Sequence, residues 1–197
     1  MDDTPERSAY RRKASFAERR EQRAAVEDVD EVLNAAARFL EARQRSVAEV
    51  RRRLTTAGYR IDLVEAAIVR LGELGYLDDD AFARSWVESR DRARPRGAQA
   101  LRRELQLKGV DNRIIAAVLD DRRAGGDDAP AGHDGEPIDV DRAAADRLLE
   151  RHARALARVP DPRARRQRAY ALLARNGFDP STAAAASRSV VTDTADD

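Results

Sequence analysis

The sequence predicts an all-α fold, an elongated array of three tandem three-helix repeats of the helix-turn-helix kind. Three times, an apolar residue is followed four positions later by glycine and then by a large apolar residue, as in Leu54-Gly58-Tyr59, Leu105-Gly109-Val110 and Leu173-Gly177-Phe178. A glycine with positive φ ends a helix and lets the next apolar side chain fold back onto the last turn. Each pattern therefore predicts the end of a helix.

The apolar positions around the first two glycines recur at a shift of 51 residues. Those at 47, 50 and 54 recur at 98, 101 and 105, and those at 63, 64, 67 and 68 recur at 114, 115, 118 and 119. Helical spacing that is kept over this distance indicates an internal repeat. The third glycine follows the second by 68 residues, with a Gly-, Asp- and Pro-rich insert between them. The last helix of the third repeat is less apolar, with Thr182, Ala183, Ala186 and Ser187 on its inner face.

Composition supports small helical cores. The chain has 197 residues, of which 37% are charged and 5% aromatic, so one large core is not expected. Abundant alanine and arginine favour helix. The absence of cysteine excludes disulfides and thiolate chemistry. No apolar run approaches the roughly 20 residues of a membrane span, and no apolar signal segment opens the sequence, so a cytoplasmic protein is expected.

Residues 1–29 are predicted to be a polar, disordered extension, because residues 7–23 carry a net charge of +5 and few apolar side chains. A phosphate-contacting arm is the alternative.

Residues 30–77 form repeat 1. Its first helix has an apolar face at positions 33, 36, 37 and 40, its second begins at a capping box of Ser46 and Glu49, and Asp62 caps its third.

Residues 78–123 form repeat 2. Asp78 to Asp80 precede its first helix as caps, Phe82, Trp86 and Val87 give that helix an apolar face, and Asp111 caps its third helix. Residues 124–139 are an acidic, flexible insert. Residues 140–191 form repeat 3, in which Asp161-Pro162 and Asp179-Pro180 start helices, and residues 192–197 are an acidic tail.

No catalytic, cofactor or metal site is predicted. The two histidines, His133 and His152, show no metal-ligand spacing, and no nucleophile motif or phosphate-binding glycine loop is present. The aspartate run at residues 78–80 could bind a metal, but its position before a helix favours capping. The protein is therefore not expected to be an enzyme.

Charge is segregated along the chain. Net charge is +4 over residues 43–53, +5 over 84–103 and +6 over 142–168, against −5 over 61–80 and −6 over 120–141. Basic surfaces that recur in every repeat would steer the protein to a polyanionic or mixed-charge partner. The alternative is a set of ordinary solvated helix faces with local ion pairs.

The sequence resembles the bacterial RecX regulatory family over about residues 31–190. The resemblance rests on Gly75-Tyr76-Leu77-Asp78-Asp79 with Phe82-Ala83 and Arg90, on Arg96-Gly97, Leu101, Glu104-Leu105 and Lys108-Gly109-Val110, and on Ser46, Glu49, Val50 and Leu54. The third repeat, the N-terminal extension and the long insert depart from the family's commoner pattern.

This resemblance implies a non-enzymatic regulator, without cofactor, that binds the RecA recombinase and lies in the groove of the RecA–DNA filament. It would inhibit recombinase, ATPase and coprotease activities and so modulate DNA repair and the SOS response. A monomer with no membrane partner is expected, and weak direct contact with single- or double-stranded DNA is left open. The residues expected to bind the partner are Arg52, Arg53, Arg90, Arg96, Arg102, Arg103 and Lys108.

Two other classes fit less well. In a helix-turn-helix DNA-binding protein, the recognition helix should begin with polar and basic residues, whereas the third helix of repeat 1 begins with Ile61, Asp62 and Leu63. A tetratricopeptide scaffold has a 34-residue period of two helices, which does not match the spacing found here.

Deleting residues 125–136 should leave the fold nearly intact, because the segment has no apolar periodicity and shortening a loop changes closure entropy by about 1 kcal/mol or less. Thermal melting of the deletion variant checks this. A loss of more than about 8 °C would show that the insert packs against the helices.

Overall fold

The computed structural model describes residues 15–124 and 139–192, and the chain is all-α over these ranges, with no strand. The helices are α1 (Phe16–Ala24), α2 (Val29–Leu40), α3 (Val47–Ala57), α4 (Ile61–Glu73), α5 (Asp79–Ala93), α6 (Ala98–Leu107), α7 (Asn112–Ala124), α8 (Val140–Ala157), α9 (Pro162–Arg175) and α10 (Pro180–Thr192). The predicted all-α class is confirmed. Two compact units divide the chain, the first within Met1–Arg43 and Val50–Tyr76 and the second within Gln44–Glu49 and Leu77–Asp197.

The first compact unit has a small core in which α2 packs against α4. The buried side chains are Val32, Ala36, Val50, Leu54, Val64, Ala67, Ile68 and Leu71. On α2 the buried face differs from the predicted one, since Val32 is buried and Ala37 is exposed. The sequence offers two overlapping apolar faces on this helix, and packing selects the one that begins one position earlier.

The helix α1 corrects the prediction of a disordered extension for its part of residues 1–29. A capping box starts it, with the Ser15 hydroxyl accepting from the Glu18 amide at 3.1 Å and the Glu18 carboxylate accepting from the Ser15 amide at 2.6 Å. Arg23 donates to the Ala57 carbonyl at 3.3 Å and lies 5.8 Å from the Tyr59 ring centroid. Because arginine stems cover the end of α3, α1 needs no apolar face of its own. Residues 1–14 lie outside the described ranges.

The second compact unit contains two apolar cores. One lies among α5, α6 and α7 and consists of Phe82, Ala83, Val87, Leu101, Leu105, Val110, Ile115, Val118 and Leu119. The other lies among α8, α9 and α10 and consists of Ala144, Ala145, Leu148, Leu149, Leu156, Ala169, Leu173, Phe178, Ala183 and Ala186. The face of the last helix that was predicted to be its inner face is buried, because Thr182 and Ser187 are buried together with Ala183 and Ala186. Residues 125–138 of the predicted insert and residues 193–197 of the predicted tail lie outside the described ranges.

The three predicted glycines end equivalent helices, as expected. Gly58, Gly109 and Gly177 have φ of 107°, 77° and 81°. The residue after each glycine donates its amide to the carbonyl five positions back, at 3.3 Å to Leu54, 3.2 Å to Leu105 and 3.3 Å to Leu173. This is the Schellman arrangement, in which the end of the helix and the following apolar side chain are fixed together.

Two of these glycine turns receive the N-terminus of another helix. The Ser46 hydroxyl, just before α3, donates to the Lys108 carbonyl at 2.6 Å. The Gly97 amide, just before α6, donates to the Asn176 carbonyl at 3.0 Å. Ser46 and Gly97 are 51 residues apart, as the sequence repeat requires. The approach at Gly97 is close, because a Cβ there would lie 2.3 Å from the Gly177 carbonyl oxygen.

Most predicted N-caps are present, and one is wrong. Asp78, Asp161 and Asp179 each accept amide hydrogen bonds from the first turn of the following helix. Burial raises the pKa of Asp179, but hydrogen bonds from Ser181 and Thr182 outweigh this and lower the pKa to about 2. Asp62 does not cap α4. That helix begins at Ile61, and the Asp62 carboxylate instead accepts from the Arg60 guanidinium at 2.7 Å.

Gly177→Ala should destabilise the protein by about 3 kcal/mol or more, since positive φ costs an L-residue about 1–2 kcal/mol and overpacking adds about 1–3 kcal/mol. A Cβ at this position would lie 2.4 Å from the Ala100 amide nitrogen. The control is Gly75→Ala, where φ is 74° and nothing lies within 4 Å of the added Cβ. That change should cost only about 1–2 kcal/mol. Equal losses in urea unfolding would show that close packing at Gly177 contributes nothing.

Candidate partner-binding surface

Helix α6 presents two of the predicted partner-binding arginines to solvent. Leu101 and Leu105 are fully buried, which fixes the inner face of the helix. Arg102 and Arg103 lie outside this face and are exposed, as predicted. Neither side chain makes a hydrogen bond or ion pair with residues 15–124 or 139–192. We call Arg102, Arg103 and their exposed neighbours Gln99, Gln106 and Leu107 the α6 surface.

The α6 surface combines charge with apolar area. Leu107 follows Arg103 by one helical turn, and 80% of its surface is exposed. Arg102 lies at the edge of a cleft that contains both charges, including Arg122, Arg123 and Asp179. A surface of two unneutralised guanidinium groups beside an exposed leucine can contact carboxylates or phosphates and, at the same time, bury an apolar side chain.

Arg90 and Arg96 are not part of this exposed surface, because Glu104 holds both. The Arg90 Nε lies 2.7 Å from a Glu104 carboxylate oxygen, and the Arg96 Nε lies 3.6 Å from the other. The same carboxylate accepts from the Trp86 Nε1 at 2.9 Å. Arg90 also stacks over the Trp86 ring, 4.2 Å from its centroid. Glu104 therefore pairs with two of the predicted partner-binding arginines and offsets part of their charge.

Lys108 is likewise held within the fold. Its Nζ lies 2.9 Å from the Glu49 carboxylate, and both side chains are largely buried, at 23% and 14% exposed. The same Nζ lies 4.9 Å from the Trp86 ring centroid. The cationic groups of Arg90 and Lys108 thus both lie over the Trp86 ring. Trp86 itself is half-buried at the edge of the core rather than inside it.

Arg96 and a further arginine connect repeat 2 to repeat 3. Arg96 donates to the side-chain carbonyl of Asn176. Arg122 is only 7% exposed and forms a two-pronged pair with Asp91, at 2.8 and 3.0 Å, and a second pair with Asp141. Burial lowers the pKa of Arg122, but the hydrogen bonds to Asp91 and Asp141 raise it by more than burial lowers it. The net shift of the pKa is therefore upward. These contacts join α5, α7 and α8.

In the first compact unit, Arg52 and Arg53 of α3 are both exposed. The Arg53 guanidinium lies 5.6 Å from the Phe39 ring centroid, while Arg52 has no hydrogen bond or ion pair within the described ranges. Arg51, which precedes them, pairs with Glu65 at 2.6 Å, and this hydrogen bond lowers the pKa of the Glu65 carboxyl. Arg52 and Arg53 therefore remain exposed candidates.

Sequence reasoning missed Glu104, Asp91 and Arg122. A signal for Glu104 was available, because it follows the buried Leu101 by three residues and so lies at the edge of the inner face. For Arg122 and its two carboxylates there was none, since the three residues belong to three different helices.

The aspartate run before α5 acts structurally. Asp78 caps the helix, Asp79 accepts from the Val47 amide at 2.9 Å, and Asp80 pairs with Arg84 at 2.6 Å. No group of His, Asp and Glu suited to a metal ion occurs among the residues that the structure describes. Within those residues, no helix has the length and apolarity needed to cross a membrane.

Tandem three-helix domains, each with a glycine turn that ends its second helix, define a helical-repeat protein. Two family models match the chain: "RecX, first three-helix domain" over residues 33–71 and "RecX, second three-helix domain" over residues 78–119. The regulatory protein RecX of Mycobacterium avium (strain 104) is 35% identical over 146 residues, which cover 74% of this chain and 76% of that protein. This chain belongs to the RecX family of regulatory proteins.

Other relatives match over a shorter span. The regulatory protein RecX of Mycobacterium sp. (strain JLS) is 43% identical over 88 residues, which are 45% of this chain and only 48% of that relative. The crystal structure of RecX from Lactobacillus salivarius has the same fold, with a TM-score of 0.66 over 85% of this chain and 96% of that chain at 18% identity. A crystal structure of a regulatory protein RecX aligns with a TM-score of 0.64 over 90% of this chain and 73% of that chain, also at 18% identity.

Trp86→Ala should destabilise the protein by about 3 kcal/mol, at the low end for loss of a large aromatic side chain, because Trp86 is only half-buried. The change removes packing on Phe82, whose ring centroid lies 6.0 Å away, and the hydrogen bond to Glu104. Urea unfolding measures the loss. Unchanged unfolding together with lost partner binding would show instead that Trp86 acts as a contact residue.

Proposed function

We propose that this protein binds RecA and the RecA–DNA filament and inhibits its recombinase, ATPase and coprotease activities, and so modulates DNA repair and the SOS response. Membership of the RecX regulatory family supports this proposal. The protein acts as a monomer in the cytoplasm, without a cofactor, and its partner is the protein filament rather than bare DNA.

The α6 surface is the observation on which the proposal depends. Several arginines of repeat 2 have an acidic partner, as Arg90 and Arg96 do with Glu104 and Arg84 does with Asp80. Arg102 and Arg103 are exposed and have no such partner among the described residues. Exposed arginines contribute little to folding, so these two are available for binding at small cost to stability.

The mixed character of the α6 surface favours a protein partner. Leu107 stands beside Arg103 with 80% of its surface exposed, and a phosphate backbone would bury no apolar side chain there. Protein interfaces combine apolar contacts with arginine at their centres. Arg52 and Arg53 on α3 provide a second exposed basic pair, and two weak contacts on one chain gain avidity on a polymer of identical subunits.

Charge reversal at the α6 surface tests the proposal. Arg102→Glu combined with Arg103→Glu should leave helicity and melting near wild type. Inhibition of RecA-driven strand exchange should fall at least about tenfold, equivalent to roughly 1.4 kcal/mol. The loss should be largest at low salt, since the screening length is about 10 Å at 0.1 M ionic strength.

The matched control is Arg163→Glu combined with Arg166→Glu, which makes the same change in net charge at two exposed arginines of α9. This control should inhibit like wild type. Co-sedimentation with RecA filaments and with bare single-stranded DNA, over a range of salt, separates the two partners. A folded α6 variant that inhibits as well as wild type at low salt would refute the assignment of this surface. Equal binding to filaments and bare DNA would favour a DNA-binding protein.

A further inference from the structure

A groove between α8 and α9, in repeat 3, has the character of a binding site and takes no part in the function proposed above. Its floor consists of Ala155, Leu156 and Leu172, and its volume is about 440 Å³. Leu156 is 4% exposed and belongs to the core, while Leu172 is half-buried. The volume lies within the range of about 300–1,000 Å³ that is typical of ligand-binding clefts.

The rim of this groove is basic. It consists of His152, Arg158, Arg168 and Arg175, all of them exposed, and no Asp or Glu of the described residues lines the groove. None of the four side chains makes a hydrogen bond or ion pair with the parts of the chain that the structure describes.

Three other arginines of the same two helices have partners. Arg142 pairs with Asp146 at 2.9 Å, and Arg165 is buried with its Nε donating to the Val159 carbonyl at 3.1 Å. Arg151 donates to backbone carbonyls at the end of α5. The four rim cations have no such partner among the described residues, so the fold does not neutralise their charge.

Stabilisation of helix α9 explains the presence of only some of the rim cations. Arg175 lies in the last turn of α9, where a cation interacts favourably with the helix dipole. Arg168 lies in the middle of the same helix and gains no such benefit. Five arginines and no acidic residue occur in α9, so the helix also lacks the i,i+4 pairs that usually stabilise an exposed charged face.

We propose that this groove binds an acidic peptide segment of a partner protein that carries one aliphatic or aromatic side chain. The apolar side chain would lie on Ala155, Leu156 and Leu172, and carboxylates on either side of it would pair with Arg158, Arg168 and Arg175. Guanidinium groups bind carboxylates in two-pronged fashion. An extended peptide can place charges on both sides of one apolar residue.

The floor of the groove disfavours single-stranded nucleic acid. Proteins that bind it stack the bases on aromatic side chains. The floor here is aliphatic, and Tyr170 of α9 does not line the groove. Arg102 and Arg103 do not line it either, so the site is separate from the α6 surface.

Fluorescence anisotropy of the full-length protein tests this proposal. The probe is a fluorescein-labelled short peptide of Asp and Glu with one central Leu. The same peptide with Ser in place of Leu, and an oligo-dT of similar charge, serve as comparison probes. The Leu peptide should bind most tightly, and the Ser peptide should bind at least about fivefold more weakly because the floor is then unfilled.

Variants locate the binding. Arg168→Gln combined with Arg175→Gln should weaken binding of the Leu peptide at least about tenfold. Arg163→Gln combined with Arg166→Gln removes the same charge from exposed positions of α9 outside the groove and should have no effect. Ala155→Glu, an exposed position on the floor, should abolish binding without loss of helicity.

Three results would overturn the proposal. They are equal losses in the groove variant and the control variant, equal binding of the Leu and Ser peptides, and preferential binding of oligo-dT. None of these outcomes depends on RecA, so the result stands apart from the test of the α6 surface.

Discussion

The carbonyl groups that end a helix need hydrogen-bond donors, and in this protein the donors at the glycine turns come from other helices. At the Gly109 turn the Lys108 carbonyl accepts from the Ser46 hydroxyl, within the second compact unit to which residues 44–49 belong. At the Gly177 turn the Asn176 and Gly177 carbonyls accept from the amides of Gly97 and Gln99. The internal repeat of the sequence is therefore also a repeat of contacts. The glycine at position 97 follows from it, because a Cβ there would collide with the Gly177 carbonyl.

The second organising factor is the division of the arginines. A chain with 37% charged residues and 5% aromatic residues has little apolar area with which to join its helices, and buried or half-buried ion pairs supply part of the connection. Arg122, with Asp91 and Asp141, is the most buried of these pairs. Arginines that hold the fold in this way are unavailable to a partner. Binding surfaces are proposed at two groups of arginines that have no carboxylate partner among the described residues, one on α6 and one around the α8–α9 groove.

Local patterns in the sequence predicted the helix ends well. A capping box at Ser46 and Glu49, a proline after Asp161 and the three glycines all act within a few residues of chain, so short-range chemistry determines them. The cap predicted at Asp62 failed because a neighbouring guanidinium, from Arg60, competes for the same carboxylate. Helix α1 could not be predicted because it has no apolar face. The aliphatic parts of its arginine side chains cover the end of α3 instead.

The candidate surface was only partly predictable for a related reason. Arg102 and Arg103 could be placed outside because Leu101 and Leu105 fix the inner face. Whether Arg90, Arg96 or Lys108 would be paired within the fold depended on Glu104 and Glu49. Glu49 and Lys108 are 59 residues apart, and periodicity does not report a contact at that distance.

Helix α1 has a different consequence. Its Arg20 and Arg23 occupy the turn at Gly58, the equivalent of the two turns that receive helix starts. Repeat proteins need a polar terminal element that closes the stack. An open Gly58 turn would offer its carbonyls to the helix start of another copy, a head-to-tail contact that repeats without limit. In this chain the Ala57 carbonyl at that turn already has a donor, the Arg23 guanidinium of α1.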